Sequence, residues 1–174
     1  GFRPSVEPGD AATHIAKFNH NDEPTLVQNE ALSLRFAREI LGEAEVTRGE
    51  PATVAGIDGL ALLVERFDRH AGERLRLEDF AQVLGKPRGP QFGGKYSSSY
   101  EEAASVIARY SARARLDLVR FYKLVIFNFA LGNADAHLKN FGLLYTDPGS
   151  DDCRLSPIYD IVCTTIYIPK DRLA

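Results

Sequence analysis

The sequence predicts an α+β chain of two lobes, the first rich in strands and the second in helices. Three observations carry this. Short β-capable runs bracket a single amphipathic helix in the first 70 residues, and two long helical patterns fill residues 100–131. Third, the composition (44% hydrophobic, 26% charged, 14 Gly and 9 Pro in 174 residues) is that of an ordinary globular domain, which excludes a disordered, collagenous or disulfide-scaffold chain.

The elements follow in order. Gly1 to Asp10 is turn-rich. Residues 11–18 alternate as a strand, with Thr13, Ile15 and Lys17 on one face. After the breaker Asn19 to Pro24, residues 25–41 form a helix with Val27, Ala31, Leu34 and Leu41 along one stripe, and Gly42 ends it. Strands are expected at 44–48 and 60–67, then a short helix from Glu78 to Leu84. Lys86 to Ser99 is a Pro/Gly/Ser loop. Helices at 100–113 and 116–131 follow, the second apolar on nearly every side from Phe121 to Leu131, the pattern of a helix buried at a domain centre. A polar loop over 132–140, a hairpin around Asp147 to Asp152 and the run Pro157-Ile158-Tyr159-Asp160 complete the chain.

Charge and cysteine content narrow the function classes. A net charge of −3 gives no basic footprint for direct nucleic-acid binding. Cys153 and Cys163 lack the pairwise spacing of a zinc site and read as reduced thiols of a cytoplasmic protein. No run approaches the roughly 20 apolar residues of a membrane span, so no membrane partner is expected. The chain starts at Gly1 and contains no methionine, which reads as a fragment or processed piece.

Chemistry concentrates in Asn133-Ala134-Asp135-Ala136-His137-Leu138-Lys139-Asn140, where five polar side chains occupy eight positions. The spacing D-x-x-x-x-N suits phosphoryl transfer: a carboxylate to receive the acceptor proton, then an amide oxygen to ligate magnesium. Alone, the pattern also fits a turn capped by Asp and Asn. It is joined by Asp160, a second potential magnesium ligand, since magnesium takes one or two carboxylates plus phosphate and water. Upstream, Lys17 ends a strand on an apolar face, and Glu30 lies on the inner side of the following helix. Each charge alone reads as solvated; together they match the ion pair that orients ATP phosphates in protein kinases. The turn Gly1-Phe2-Arg3-Pro4-Ser5 stands where a phosphate-covering loop would lie, and Glu65 to Phe67 where an adenine hinge would lie. His14 reads as structural and His137 as phosphate-proximal or loop-bracing. Arg109, Arg113, Arg115, Arg120 and Lys123 read as a solvated basic face.

The segment Gly132-Asn133-Ala134-Asp135-Ala136-His137-Leu138-Lys139-Asn140-Phe141 resembles the signature loop of the HipA kinases, the toxin halves of type II toxin–antitoxin systems. Leu155 to Val162 is similar to their metal-binding segment, and His14 to Phe18, Asn29-Glu30 and Val64 to Arg69 to further motifs in the same order. The resemblance implies a protein-kinase-like fold incomplete at both ends, with 1–68 as N-lobe and hinge and 69–174 as a partial C-lobe. It implies a serine/threonine protein kinase using ATP and Mg2+. Asp135 would be the catalytic base, Asn140 and Asp160 the magnesium ligands, and Lys17 the phosphate contact, braced by Glu30. Gly1, Phe2, Arg3, Pro4, Ser5, Glu65, Phe67, His137, Lys139 and Tyr159 would line the nucleotide site. Family members phosphorylate aminoacyl-tRNA synthetases, slow translation and promote growth arrest and persistence. They are restrained by a DNA-binding HipB-type antitoxin, so contact with DNA would be indirect. The chain departs from the family at Ser5, where lysine is usual, and the family's self-phosphorylated serine would precede Gly1. A small-molecule phosphotransferase of the aminoglycoside or choline kinase type and a pseudokinase binding module are the alternatives.

Overall fold

Residue 2, residue 4 and residues 12–70, 72–87, 93–147 and 149–168 are described in a computed structural model. The first lobe is a three-stranded antiparallel sheet backed by one helix. Strand β1 (His14–Phe18) and strand β2 (Gly49–Val54) both pair with the central strand β3 (Ile57–Glu65), Lys17 opposite Leu62 and Pro51 opposite Leu62 from the other side. Residues 61–64 of β3 are all buried because both faces of the sheet are covered there. Leu62 and Val64 face helix α1 (Leu26–Leu41) and its Val27, Leu34 and Ala37, whereas Ala61 and Leu63 join Val54 on the other face.

The strand expected at 44–48 lies instead at Gly49–Val54. Residues 43–45 form a turn after Gly42, whose φ of +116° ends α1 with its N–H on the Arg38 carbonyl. Pro51 does not disrupt β2 because β2 is an edge strand, where a missing N–H can face outward. Gly49 is required by contact: a Cβ there would lie 2.7 Å from Leu34 Cδ1, so its absence lets β2 approach α1.

After the two-residue strands β4 (Arg69–His70) and β5 (Glu73–Arg74), the second lobe opens with strand β6 (Leu77–Asp79). Asp79 and Gln82 form a reciprocal capping box that starts helix α2 (Phe80–Val83). Helices α3 (Tyr100–Tyr110) and α4 (Ala114–Leu131) pack together, and β6 pairs with β7 (Gly142–Tyr145), which pairs with β8 (Cys153–Leu155). Phe121 sits 5.1 Å from Phe141 and 6.4 Å from Phe80, ring centre to ring centre, at the heart of the core. No helix among the described residues is long and apolar enough to cross a membrane.

Two expectations for α4 are corrected. The helix is not buried on every side: Leu116, Val119, Tyr122, Ile126 and Phe129 form an exposed apolar face, with Tyr122 at 65% and Phe129 at 63% exposure. Nor is Arg120 solvated. It donates to Asp117 Oδ1 at 2.8 Å and to the Leu155 carbonyl at 3.0 Å, and pairs with Glu45. Asp117, fully buried, also accepts from Ser111 Oγ and the Leu155 N–H, each at 2.7 Å. The cluster fastens α4 to β8 and to the turn after α1.

The two lobes meet along residues 158–163. Ile158 bonds to Glu45 and Thr47 through backbone groups at 2.8 and 2.9 Å. Asn29 of α1 holds Cys163 by both backbone groups, accepting at 3.1 Å and donating at 3.0 Å.

Candidate active site

The candidate site is built around Lys17. Strand alternation directs it to the α1 side of the sheet, where its ammonium donates to Glu30 Oε1 and to Asp160 Oδ1, both at 2.5 Å. Glu30 is 4% exposed, fixed on the inner face of α1. Burial pushes the Glu30 carboxyl above its ordinary range, with Lys17 only partly offsetting it. Burial pulls Lys17 down, yet Glu30 and Asp160 outweigh it and hold the ammonium above the usual lysine value. One cation thus faces two carboxylates, and the surplus negative charge favours a further cation.

Asp160 has φ of +60°, the left-handed region, which costs on the order of 1 kcal/mol for a residue with a side chain. That turn aims its carboxylate at both Lys17 and Asn140, whose Nδ2 donates to Asp160 Oδ2 at 3.0 Å. Asn140 Oδ1 accepts from the His137 N–H at 2.9 Å and keeps a second lone pair. The half-exposed Asp160 carboxylate meets Lys17 through Oδ1 and the Asn140 amide nitrogen through Oδ2, while Asn140 Oδ1 faces the His137 N–H. These carboxylate and amide oxygens are the donors that a magnesium ion would share with phosphate and water.

Asp135 follows α4 directly. Gly132 ends that helix at φ +80°, and a Cβ there would meet Thr165 Oγ1 at 2.4 Å. Its carbonyl accepts from the N–H groups of Thr164 and Thr165 at 3.0 and 3.2 Å. Asn133, buried, bonds to Asn128 at 3.0 Å and accepts from the Asp135 N–H at 3.2 Å, which orients the loop. The Asp135 side chain is half exposed. His137 Nε2 lies 3.9 Å from its Oδ1. Burial holds the His137 imidazole below its usual value, against the pull of Asp135.

Lys17, Glu30, Asp135 and Asp160 line one open cleft of about 950 Å³, together with Tyr96 and Tyr167. The residues expected to form a hinge connect to the loop by another route: the Phe67 ring packs on Tyr159 at 5.5 Å, and the Tyr159 hydroxyl donates to the Lys139 carbonyl at 2.7 Å. Glu65 already spends its backbone groups, its N–H on the Arg48 carbonyl and its carbonyl on Thr47 Oγ1, each at 2.8 Å. Phe2 packs against His14 at 4.9 Å and bridges to Val54, away from the cleft lining, while Pro4 is exposed. Gly1, Arg3 and Ser5 lie outside the described residues. The residue that sequence reasoning missed is Tyr96, whose hydroxyl donates to Asp135 Oδ1 at 2.5 Å. It lies in the segment read as a plain loop, and a Gly/Ser-rich run offers no periodic signal for it.

A small antiparallel sheet with one helix, a helical second lobe and a Lys–Glu pair facing an Asp/Asn loop define a protein-kinase-like fold. The chain belongs to the HipA-like C-terminal domain family, whose model matches residues 4–174. It is 31% identical over 182 residues to the serine/threonine-protein kinase toxin HipA of Shewanella oneidensis MR-1, covering 90% of this chain and 38% of that protein. The solved HipA structure of the same organism, in complex with HipB and operator DNA, superposes with a TM-score of 0.69 at 27% identity, over 89% of this chain and 38% of that one. The Helicobacter pylori proinflammatory kinase CtkA shares the fold at a TM-score of 0.66 and 18% identity, over 84% of this chain and 48% of that one. The chain spans 37% to 46% of the length of the curated relatives it matches.

Proposed function

We propose that this chain is the catalytic region of an ATP- and magnesium-dependent serine/threonine protein kinase of the HipA toxin type. The observation that carries the reading is Lys17 held between Glu30 and Asp160, with Asn140 on the same aspartate. Residues 1–68 would serve as first lobe and hinge, and 69–174 as part of the second lobe. In-line transfer is the mechanism. Asp135 orients the acceptor hydroxyl and takes its proton, Lys17 offsets charge on the phosphates, and Asn140 and Asp160 would hold the metal. ATP would supply the transferable phosphoryl group, and magnesium, when bound, the divalent charge that offsets the phosphates. Phe67 and Tyr159 would border the nucleobase.

By likeness to HipA, the substrate would be a cytoplasmic aminoacyl-tRNA synthetase, with slowed translation and growth arrest as the outcome. A HipB-type antitoxin would restrain it and supply any contact with DNA. The test is Asp135→Asn in the full-length protein. Transfer from γ-labelled ATP to a synthetase panel should fall by about 10²- to 10⁴-fold with the fold intact, because Asp135 is half exposed. Transfer or growth arrest at the wild-type level in that variant overturns the reading.

A further inference from the structure

An acceptor hydroxyl must reach Asp135 with its O–H donated to a carboxylate oxygen. That contact is already made, by this chain's own Tyr96: its phenol donates to Asp135 Oδ1 at 2.5 Å. We propose that Tyr96 is a surrogate acceptor, a phenol that holds the place of the substrate hydroxyl on Asp135 and must be displaced before transfer. The proposal rests on the kinase reading and adds to it a residue that controls acceptor access.

Three further observations bear on it. The phenol enters in the donor sense that a serine or threonine would use, and burial together with the hydrogen bond to Asp135 pushes its pKa above the ordinary phenol value, so the O–H is kept at neutral pH. Among the described residues the ring meets an edge of His137 at 5.2 Å and the Lys95 ammonium 4.7 Å above its face, and the residue is more than half exposed. Lys95 Nζ also lies 4.0 Å from the same Asp135 oxygen, so the Lys95-Tyr96 pair approaches the carboxylate as a unit. Finally, Tyr96 stands between the large cleft and a second cavity of about 310 Å³, lined by Tyr100, Ala136, His137 and Phe141, which gives the ring somewhere to move. Exchange of one O–H donor for another is close to neutral in hydrogen-bond energy, so a substrate hydroxyl can compete for the position.

The test is Tyr96→Phe in the full-length protein, which deletes the oxygen and keeps the ring. Two acceptors serve as probes: water, read as magnesium-dependent ATP hydrolysis, and a serine/threonine peptide library. Both rates should rise by roughly 3- to 10-fold, the worth of about one hydrogen bond, with ATP affinity and melting temperature unchanged. A nucleotide-free readout accompanies them: 3-fluorotyrosine at position 96 should shift its fluorine resonance when Asp135 becomes Asn. Slower or unchanged turnover in Tyr96→Phe overturns the proposal, as does an unmoved resonance. Phosphate recovered on Tyr96 overturns it as well, since the phenol would then be a substrate. If the wild type neither binds nor turns over ATP, the kinase reading itself fails and the proposal with it.

Discussion

Lys17 illustrates why a single charge can serve both fold and site. Glu30 is buried, so removing its cation leaves an uncompensated carboxylate in the core, at a cost of about 3–5 kcal/mol. Lys17→Met should therefore lower the urea midpoint, and Lys17→Met with Glu30→Gln should recover most of it. Phosphate transfer should stay low in both, because neither variant restores a cation beside Asp160. Restored transfer in the double variant would show that Lys17 acts only on stability. The members of this constellation were legible in the sequence because their chemical types and order are distinctive. Lys17 and Glu30 sit 13 residues apart, one on a strand face and one on a helix face, and periodicity aims both inward. Tyr96 was not legible, since its partner lies 39 residues away and no local pattern points to it.

At the scale of elements, the Asp117 cluster decides how α4 is fixed. Burial raises the Asp117 carboxyl, but bonds from Leu155, Ser111 and Arg120 and the charge of Arg113 outweigh it and hold it below the ordinary range. A carboxyl depressed by folding adds stability above its unfolded value, near 3.9, and loses that contribution as pH falls through its folded value. Asp117→Ala should cost about 3–5 kcal/mol at neutral pH and flatten the acid limb of stability below about pH 5, read by urea titration. An unchanged acid limb would place that dependence on another group. The sequence showed α4 but hid this anchoring, because Asp117 and Arg120 on a helix look like solvent-facing charges until β8 supplies a backbone N–H and carbonyl. The misplaced second strand has a similar cause. Gly49 and Pro51 weaken the local strand signal, and only pairing with β3 and close approach to α1 make Gly49–Val54 a strand.

For the molecule as a whole, the two-lobed order was readable from the sequence of element types, whereas the exposed face of α4 was not. An all-round apolar helix looks the same in sequence whether one face or every face is covered. A further apolar row, Leu32, Phe36 and Ile40, runs along the outside of α1. Contiguous apolar surface of this kind drives association. The 174-residue chain should accordingly self-associate in sedimentation runs, and Tyr122→Glu with Phe129→Lys should reduce association without lowering the melting temperature. Persistent association in that variant would shift the cause to α1. The stretch from Ile158 to Thr165 carries a last consequence. The first lobe grips it at Ile158 and Cys163, and the second grips it at Thr164 and Thr165 through the Gly132 carbonyl, at the root of the Asp135 loop. Asp160 lies inside that stretch, like a bead on a cord tied to two hands. Any rotation of one lobe against the other must pull on the cord, so the distance from Lys17 to Asp160 acts as a gauge of how far the jaws stand apart.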